Sequence, residues 1–192
     1  MTDINDPLSE PLDVKRRAGS PPTKSTRRSD AELLAYAELL FFAYRDFTRD
    51  PDAILRDFGF GRAHHRVLHF VTRHSGLRVA DLLDVLKITK QSLGRVLKQL
   101  IDKGYIVQRA GSVDRRERLL YPTAAGRALT KRLAAPQLIR LAEALQAAGP
   151  GADLIVRRFL QAMINAEERP KVSSIMSSLP APAEGDGNAE AS

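Results

Sequence analysis

The stretch from Asp81 to Thr123 limits the possible folds of this 192-residue chain more than any other stretch. It contains two short helical patterns separated by a tight turn. Two short runs rich in β-branched, Leu and Tyr residues follow, at residues 105–109 and 118–121, and a loop that contains Gly111 separates them. This arrangement is typical of a β-hairpin. The sequence therefore predicts a helix, a turn, a second helix and a hairpin, in that order.

The second helix of this pair has a defined start, a defined end and two distinct faces. Thr89 is well placed as its N-cap, and Gly104 closes it. The first helix is predicted from Val79 to Leu86. Apolar residues of the second helix recur at helical spacing and form its core face: Leu93, Val96, Leu97, Leu100 and Ile101. The opposite face carries Gln91, Arg95, Lys98 and Asp102, with Ser92 and Gly94 beside it.

The polar face of the second helix has the chemistry that a reader of duplex DNA needs. Gln91 and Ser92 are short hydrogen-bonding side chains that suit base edges, and Arg95 can bind guanine through two hydrogen bonds. Lys98 can meet a phosphate, and the free N–H groups at the helix start favour phosphate oxygens as well. Many amphipathic helices have a polar face, so this helix alone leaves a purely structural role open.

The hairpin loop concentrates positive charge. Arg109, Arg115, Arg116 and Arg118 lie in or next to it, and such a loop can place a guanidinium in the narrow minor groove of DNA. Asp114 is the acidic member, and we expect its carboxylate to hold the loop by accepting hydrogen bonds from one of the arginines. A charged hairpin that is merely solvated is the alternative.

Four segments together resemble the winged helix-turn-helix of the MarR family of transcription factors: residues 88–93, 100–106, 114–116 and 123–126. The family's Asp-x-Arg wing signature falls on Asp114 and Arg116. Its Leu-Thr-x-x-Gly motif, which opens a long helix, appears here with Pro122 in place of the leucine, followed by Thr123 and Gly126. The resemblance covers approximately residues 30–169 and is strongest from Val79 to Gly126.

The resemblance implies a mainly α fold with a small β-hairpin wing, in which the terminal helices form a homodimer interface. It implies the following DNA-binding residues: Thr89, Lys90, Gln91, Ser92, Arg95, Lys98, Asp114, Arg115 and Arg116. Two identical readers imply a pseudo-palindromic site in double-stranded DNA with half-sites roughly 10 bp apart. The resemblance also implies repression that a small molecule relieves by changing the spacing of the two reading helices. A nonspecific architectural or RNA-binding winged helix is the alternative function.

The rest of the chain is expected to divide as follows: a disordered basic tail at 1–29, a dimerisation helix at 30–58, the DNA-binding domain at 59–122, dimerisation helices at 123–169 and a disordered tail at 170–192. Asp30 is predicted to cap the first helix, and Pro51 to limit it before a short extra turn up to Phe58. Pro136 is expected to kink or divide the long helix that follows Thr123.

Composition excludes several classes of protein. The net charge is +7, and between residues 60 and 118 Lys and Arg exceed Asp and Glu by 8, which places the positive charge around the predicted reading helix. The chain has no Cys, so it forms no disulfide and no thiolate metal site. It has no apolar run of membrane-spanning length and no apolar signal segment, so a cytoplasmic protein with no membrane partner is expected.

Catalytic, cofactor and metal sites are not predicted. The sequence shows no phosphate loop, no Ser/His/Asp arrangement in its structural context and no carboxylate pair that would flank a substrate. His65 and His69 are four residues apart, a spacing that can hold zinc, but neighbouring arginines would repel a cation, so partly buried histidines are favoured. A weaker hypothesis is that four residues line an effector pocket near the dimer junction: Tyr44, Arg45, His65 and His69.

Overall fold

The structure is a computed structural model that describes residues 28–112 and 114–177. Seven helices are formed there: α1 (Asp30–Arg56), α2 (Arg62–Arg73), α3 (Val79–Leu86), α4 (Lys90–Asp102), α5 (Ala124–Ala148), α6 (Ala152–Met163) and α7 (Arg169–Ser177). The strands are β1 (Leu77–Arg78), β2 (Ile106–Ala110) and β3 (Arg118–Pro122). The prediction of a mainly α fold with a hairpin wing is confirmed. Among the described residues no helix is long and apolar enough to cross a membrane.

The chain divides into two units. The described residues 28–39 belong to the first unit, and those from Leu40 onward belong to the second. The first unit contains the start of α1, where the Ser29 backbone N–H donates to Glu32 Oε2 (2.8 Å) and the Glu32 N–H donates to Ser29 Oγ (3.3 Å). The prediction that Asp30 is the cap is wrong, because this reciprocal pair satisfies the helix start one residue earlier.

The prediction that Pro51 limits α1 is also wrong, since the helix continues through it to Arg56. A proline has no N–H and therefore leaves the carbonyl four residues earlier without its helical partner. Here that carbonyl belongs to Phe47, and it accepts a hydrogen bond from Gln137 Nε2 of α5 at 3.2 Å. A side chain 90 positions away thus replaces the bond that the proline removes.

The sheet has the strand order β1-β3-β2 and is antiparallel throughout. Strand β1 was not predicted; it pairs Leu77 with Leu120 and continues the hairpin by one short strand. In the hairpin, Val107 is paired with Tyr121. The added strand joins the start of α3 directly to the wing.

The core lies among α2, α3, α4, the sheet and the first half of α5. Its fully buried apolar side chains include Val67, Leu68, Val71, Leu82, Leu93, Leu100, Ile106, Leu120 and Leu133. Four of the five residues predicted as the core face of α4 are buried, and the fifth, Ile101, is half-buried against the core. The apolar periodicity of α4 therefore orients its polar face outward.

Two further expectations concern the C-terminal half. Pro136 was expected to kink or divide the long helix; the division is wrong, because α5 is continuous over 25 residues. Residues 169–177 form α7, whereas a disordered tail was expected after Pro170. Pro170 is the second residue of α7, and the first turn of a helix tolerates proline because its N–H groups have no intrahelical partner. Of the tails predicted at 1–29 and 170–192, residues 1–27 and 178–192 lie outside the described residues.

Candidate nucleic-acid interface

The start of α4 is built by a turn and a cap. Lys87 ends α3 in the left-handed region at φ 50°, which reverses the chain within two residues. Thr89 then caps α4, since its Oγ1 accepts the Ser92 N–H at 3.1 Å and its hydroxyl donates to Ser92 Oγ at 2.9 Å. The predicted cap is therefore confirmed, and the Ser92 hydroxyl already takes part in it.

The predicted DNA-reading residues of α4 all lie exposed. They are Lys90, Gln91, Ser92, Arg95 and Lys98, with Thr89 exposed at the cap. Lys98 Nζ lies 2.6 Å from Asp102 Oδ2 on the next turn of the helix. An exposed pair of this kind is weak, so Lys98 can exchange the carboxylate for a phosphate at little cost. Gly94 has open space around it: a Cβ built there meets no atom within 4 Å.

A histidine fixes α4 against α2, and sequence reasoning did not single it out. His64 Nδ1 accepts the backbone N–H of Gly61 at 3.1 Å. Because that nitrogen is an acceptor, Nε2 carries the proton and donates to Gln99 Oε1, 2.5 Å away on α4. The imidazole also stacks on Phe60 with ring centroids 4.6 Å apart. No sequence signal short of the tertiary contact would have paired His64 with Gln99.

The wing tip is held by hydrogen bonds around Asp114. Its Oδ1 accepts the backbone N–H of Arg116 at 2.8 Å, and its carbonyl accepts the N–H of Glu117 at 3.0 Å. The expectation that Asp114 holds the loop is thus met through the backbone of Arg116, and the arginine side chains at 115 and 116 remain exposed. The tip presents two guanidinium groups from an ordered turn.

Arg78 of β1 connects the wing to α3. Its Nε and Nη2 donate to Asp81 at 2.7 and 2.8 Å, and its Nη1 donates to Glu117 of the wing at 3.1 Å. These hydrogen bonds, first to Asp81 and then to Glu117, raise the pKa of the Arg78 guanidinium. Sequence reasoning missed this clamp because β1 is only two residues long and was not recognised.

A groove of about 490 Å³ lies between α3, α4 and the hairpin, next to the predicted reading residues. Its apolar wall includes Leu83 and Leu97, and the cations that line it are Lys90, Lys98 and Arg118. The structure therefore brings Lys90 and Lys98 of α4 and Arg118 of the hairpin to one groove, together with Asp102. The other predicted reading residues do not line it: Gln91, Ser92, Arg95, Arg115 and Arg116. Cations around a concave surface focus a positive potential, which attracts a polyanion such as a nucleic-acid backbone.

A second cavity, also about 490 Å³, gathers three of the four residues of the effector hypothesis. Tyr44, His65 and His69 line it, together with Phe47, Phe70 and Gln137 among others. Arg45 is not among the lining residues; its Nε donates to Asp46 at 3.0 Å. Among the described residues no group of three or more His, Cys, Asp or Glu side chains is placed to hold a metal ion.

The histidines of this cavity are held in the neutral form. Burial lowers the pKa of His69 to about 4, with smaller contributions from Arg73, His65 and His74. Burial also lowers the pKa of His65, against a smaller opposing effect of Asp52. At neutral pH both rings are therefore uncharged hydrogen-bonding groups.

The comparison with known proteins agrees with this geometry. A model of the MarR family matches residues 58–117, which contain α2, the sheet's first strand, the helix pair and the wing tip. Over 141 residues the chain is 47% identical to the HTH-type transcriptional regulator PetP of Rhodobacter capsulatus, covering 73% of this chain and 85% of PetP. The matched families are transcription regulators and not enzymes.

Solved structures share the fold at low sequence identity. A SlyA-like transcription regulator from Listeria monocytogenes aligns with a TM-score of 0.56 at 15% identity, covering 81% of this chain and 98% of its own. NadR in complex with 4-hydroxyphenylacetate aligns with a TM-score of 0.56 at 22% identity, covering 74% and 97% of the two chains. With its helix-turn-helix, its Asp-x-Arg wing and a relative of this identity, the chain belongs to the MarR family of winged helix-turn-helix, DNA-binding transcriptional regulators.

Proposed function

We propose that this protein is a repressor that binds a pseudo-palindromic operator as a homodimer and that a small molecule releases it. The DNA-binding part of this proposal rests on two exposed elements, the start of α4 and the wing tip, which one hydrophobic core supports. The start of α4 offers Gln91, Ser92 and Arg95, and the wing tip offers Arg115 and Arg116. In this assignment α4 reads base edges in the major groove and the wing enters the adjacent minor groove.

Exposed apolar side chains support the homodimer. Helices α5 and α6 expose Leu138, Ile139, Leu141, Leu154, Ile155, Phe159, Leu160 and Met163, and Ile155 is 69% exposed. In the first unit, α1 exposes Leu33, Leu34, Tyr36 and Leu39. Single exposed apolar residues are ordinary, but so many on consecutive helices are typical of a surface that another chain covers. We take that other chain to be a second copy of this protein, because a palindromic DNA site is read by two identical subunits.

The cavity lined by Tyr44, His65 and His69 supports regulation by a small molecule. Arg62, Arg66 and Asp52 also line it. Asp52 pairs with Arg62 at 2.7 Å, so Arg66 is the arginine that an aromatic acid would bind beside the aromatic wall. NadR was solved with such a compound, 4-hydroxyphenylacetate. Arg66 Nη2 donates to the carbonyl of Leu86 at 3.1 Å, at the end of α3. An acid that binds Arg66 competes with this bond and so acts on the turn that precedes α4.

Selection from a random pool of duplexes, followed by affinity measurements, tests the DNA assignment. We expect the selected sequences to contain a palindrome. Arg95→Ala is expected to cost about 1 to 3 kcal/mol of binding free energy and to relax one base preference. Arg116→Ala is expected to weaken binding through the minor groove. Arg56→Ala, an exposed arginine at the end of α1, is the matched control and should leave affinity near the wild-type value.

Two outcomes would contradict this assignment. If Arg116→Ala has the affinity of the control at physiological salt, the wing does not contact DNA. If an excess of random duplex removes all binding of the wild-type protein, the chain is a nonspecific architectural or RNA-binding winged helix and not an operator-binding regulator.

A further inference from the structure

After α6 the chain runs back toward α3 and the turn that precedes α4. After Met163, residues 164–168 lead into α7 (Arg169–Ser177). The Arg169 guanidinium donates to the carbonyls of Ala162 (2.8 Å) and Ile164 (2.9 Å). These are carbonyls at the C-terminal end of α6, where the helix has no further N–H groups to offer. Arg169 thereby fixes the direction in which the chain leaves α6.

The returning segment meets α3 through alternating charges. Lys87 Nζ lies 2.7 Å from Asp84 Oδ1 and 2.9 Å from Glu168 Oε1, so it bridges the two carboxylates. Asp84 also pairs with Lys171 of α7. Four charges of alternating sign thus join the end of α3 to the start of α7. A network of this kind is held more firmly than an isolated surface pair.

Apolar side chains face each other across a gap beside these ion pairs. An open cavity of about 250 Å³ lies between Phe70, Leu77 and Val85 on one side and the face of α7 that carries Lys171 and Ile175 on the other. Lys171 and Ile175 are half-buried, whereas most of α7 is exposed. Helix α7 therefore lies against α2, β1 and α3 with one face.

Lys87 has an unusual backbone conformation at the junction of α3 and α4. It is the single residue with a positive φ in the described part of the chain that is not a glycine, and it forms the turn between α3 and α4. Its N–H donates to the Leu83 carbonyl at 2.9 Å, and Thr89, two residues later, caps α4. A conformation that non-glycine residues rarely adopt persists when its surroundings hold it in place. The Lys87 side chain pairs with Glu168 at 2.9 Å.

We propose that residues 164–177 form a C-terminal strap that positions the reading helix α4, with Glu168 and Lys87 as its positioning residues. The strap runs from the end of α6, through Arg169 and Glu168, to the turn that sets the start of α4. It rests on the proposed function in that α4 is the element that reads DNA. The strap keeps the turn in one conformation before DNA binds. Specific binding therefore loses less conformational entropy in the protein.

The test compares Glu168→Gln with Glu167→Gln. Both replace a glutamate by its neutral isostere at adjacent positions, and Glu167 is exposed. Two readouts are needed: hydrogen exchange of the amides from Asp84 to Ser92 in the absence of DNA, and affinity for the selected operator and for random duplex. We expect Glu168→Gln to speed exchange at the turn and to weaken operator binding about two- to fivefold, the range of an exposed ion pair. Random-duplex affinity should not fall.

A double-mutant cycle separates positioning from a direct contact of Lys87 with phosphate. If Glu168 acts through Lys87, Glu168→Gln should have no further effect on operator affinity in a Lys87→Gln background. The proposal is overturned if Glu168→Gln matches Glu167→Gln in both exchange and operator affinity. Should the wild-type protein show no sequence-specific DNA binding, the proposed function fails, but the exchange experiment still decides whether the strap restrains the turn.

Discussion

Among the glycines that the structure describes, Gly126 leaves the least room for a side chain. A Cβ built at Gly126 lies 2.1 Å from the carbonyl oxygen of Tyr105 and 3.1 Å from its carbonyl carbon. Both atoms belong to the backbone and cannot rotate away. Because nonbonded contacts are favourable at about 3.5 to 4.0 Å, Gly126→Ala must push α5 and the start of β2 apart by roughly 1 Å or more.

The cost of this displacement follows from the bonds that it disturbs. The Tyr105 carbonyl accepts the N–H of Thr123 at 3.1 Å, and the Thr123 Oγ1 accepts the N–H of Gly126 at 3.0 Å. Overpacking typically costs about 1 to 3 kcal/mol, and a lost N-cap about 1 kcal/mol more. The change from Gly to Ala within a helix offsets up to about 1 kcal/mol of this cost. We therefore expect Gly126→Ala to lower the free energy of unfolding by roughly 1 to 3 kcal/mol.

Gly94→Ala is the matched control, since it makes the same chemical change within a helix where a Cβ meets no atom within 4 Å. Ala is favoured over Gly in a helix interior, so Gly94→Ala should raise the free energy of unfolding by up to about 1 kcal/mol. Urea denaturation at one fixed protein concentration measures both variants. Equal stabilities of the two variants would refute the reasoning, because the close contact with the Tyr105 carbonyl at Gly126 is absent at Gly94.

Three further predictions concern the dimer, the cavity and its histidine. Ile155→Glu on the exposed face of α6 should produce a monomer in analytical ultracentrifugation, whereas Gln161→Glu, at an exposed polar site of the same helix, should not; a dimer of both would contradict the assigned surface. In a thermal-shift screen, aromatic acids should raise the melting temperature, and Arg66→Gln should abolish the shift; no shift with any aromatic acid or metal would leave the cavity without a ligand. Since His69 has its pKa lowered from 6.5 to about 4, the unfolded chain binds the proton more tightly. The contribution of neutral His69 to the free energy of unfolding is therefore fully present above pH 6.5. It is lost as the pH falls toward 4, and the loss is roughly 1 to 2 kcal/mol after solvent screening. His69→Gln should remove this part of the pH dependence of the free energy of unfolding. An unchanged pH dependence in the variant would contradict the prediction.

Local signals were sufficient for the helix pair and the wing. Thr89 has the side chain of an N-cap, and Leu93, Val96, Leu97 and Leu100 recur at the helical period, so the start and the buried face of α4 follow from adjacent residues. The hairpin follows from two short runs and a loop. The polar face of α4 was then fixed as the face opposite the core. Whether these side chains contact DNA stays a prediction.

Distant partners explain what the sequence did not predict. Helix α1 continues through Pro51 because Gln137 donates a hydrogen bond to the Phe47 carbonyl that the proline leaves without a helical partner. No pattern in the neighbouring residues predicts that Gln137 is this partner. Strand β1 has two residues and exists because β3 offers it an edge. Most of helix α7 lies in the segment after Pro170 whose composition favours disorder. Lys171 of α7 pairs with Asp84, and Glu168, just before α7, pairs with Lys87, and both partners lie far earlier in the chain. Such elements are stabilised by tertiary contacts and not by propensity.

Two contacts from separate parts of the molecule converge on the turn before α4. Arg66, which lines the cavity, donates to the carbonyl of Leu86, and Glu168, which belongs to the strap, pairs with Lys87. Leu86 and Lys87 are consecutive, and Thr89 begins the cap of α4 two residues later. A change at either contact would alter the same short segment, so we propose that an effector in the cavity and the strap both act on α4 through it. A regulator needs such an element, because a ligand shifts an equilibrium only where its contacts differ between two states. In this proposal, the turn from Leu86 to Thr89 is the segment whose contacts differ between the two states.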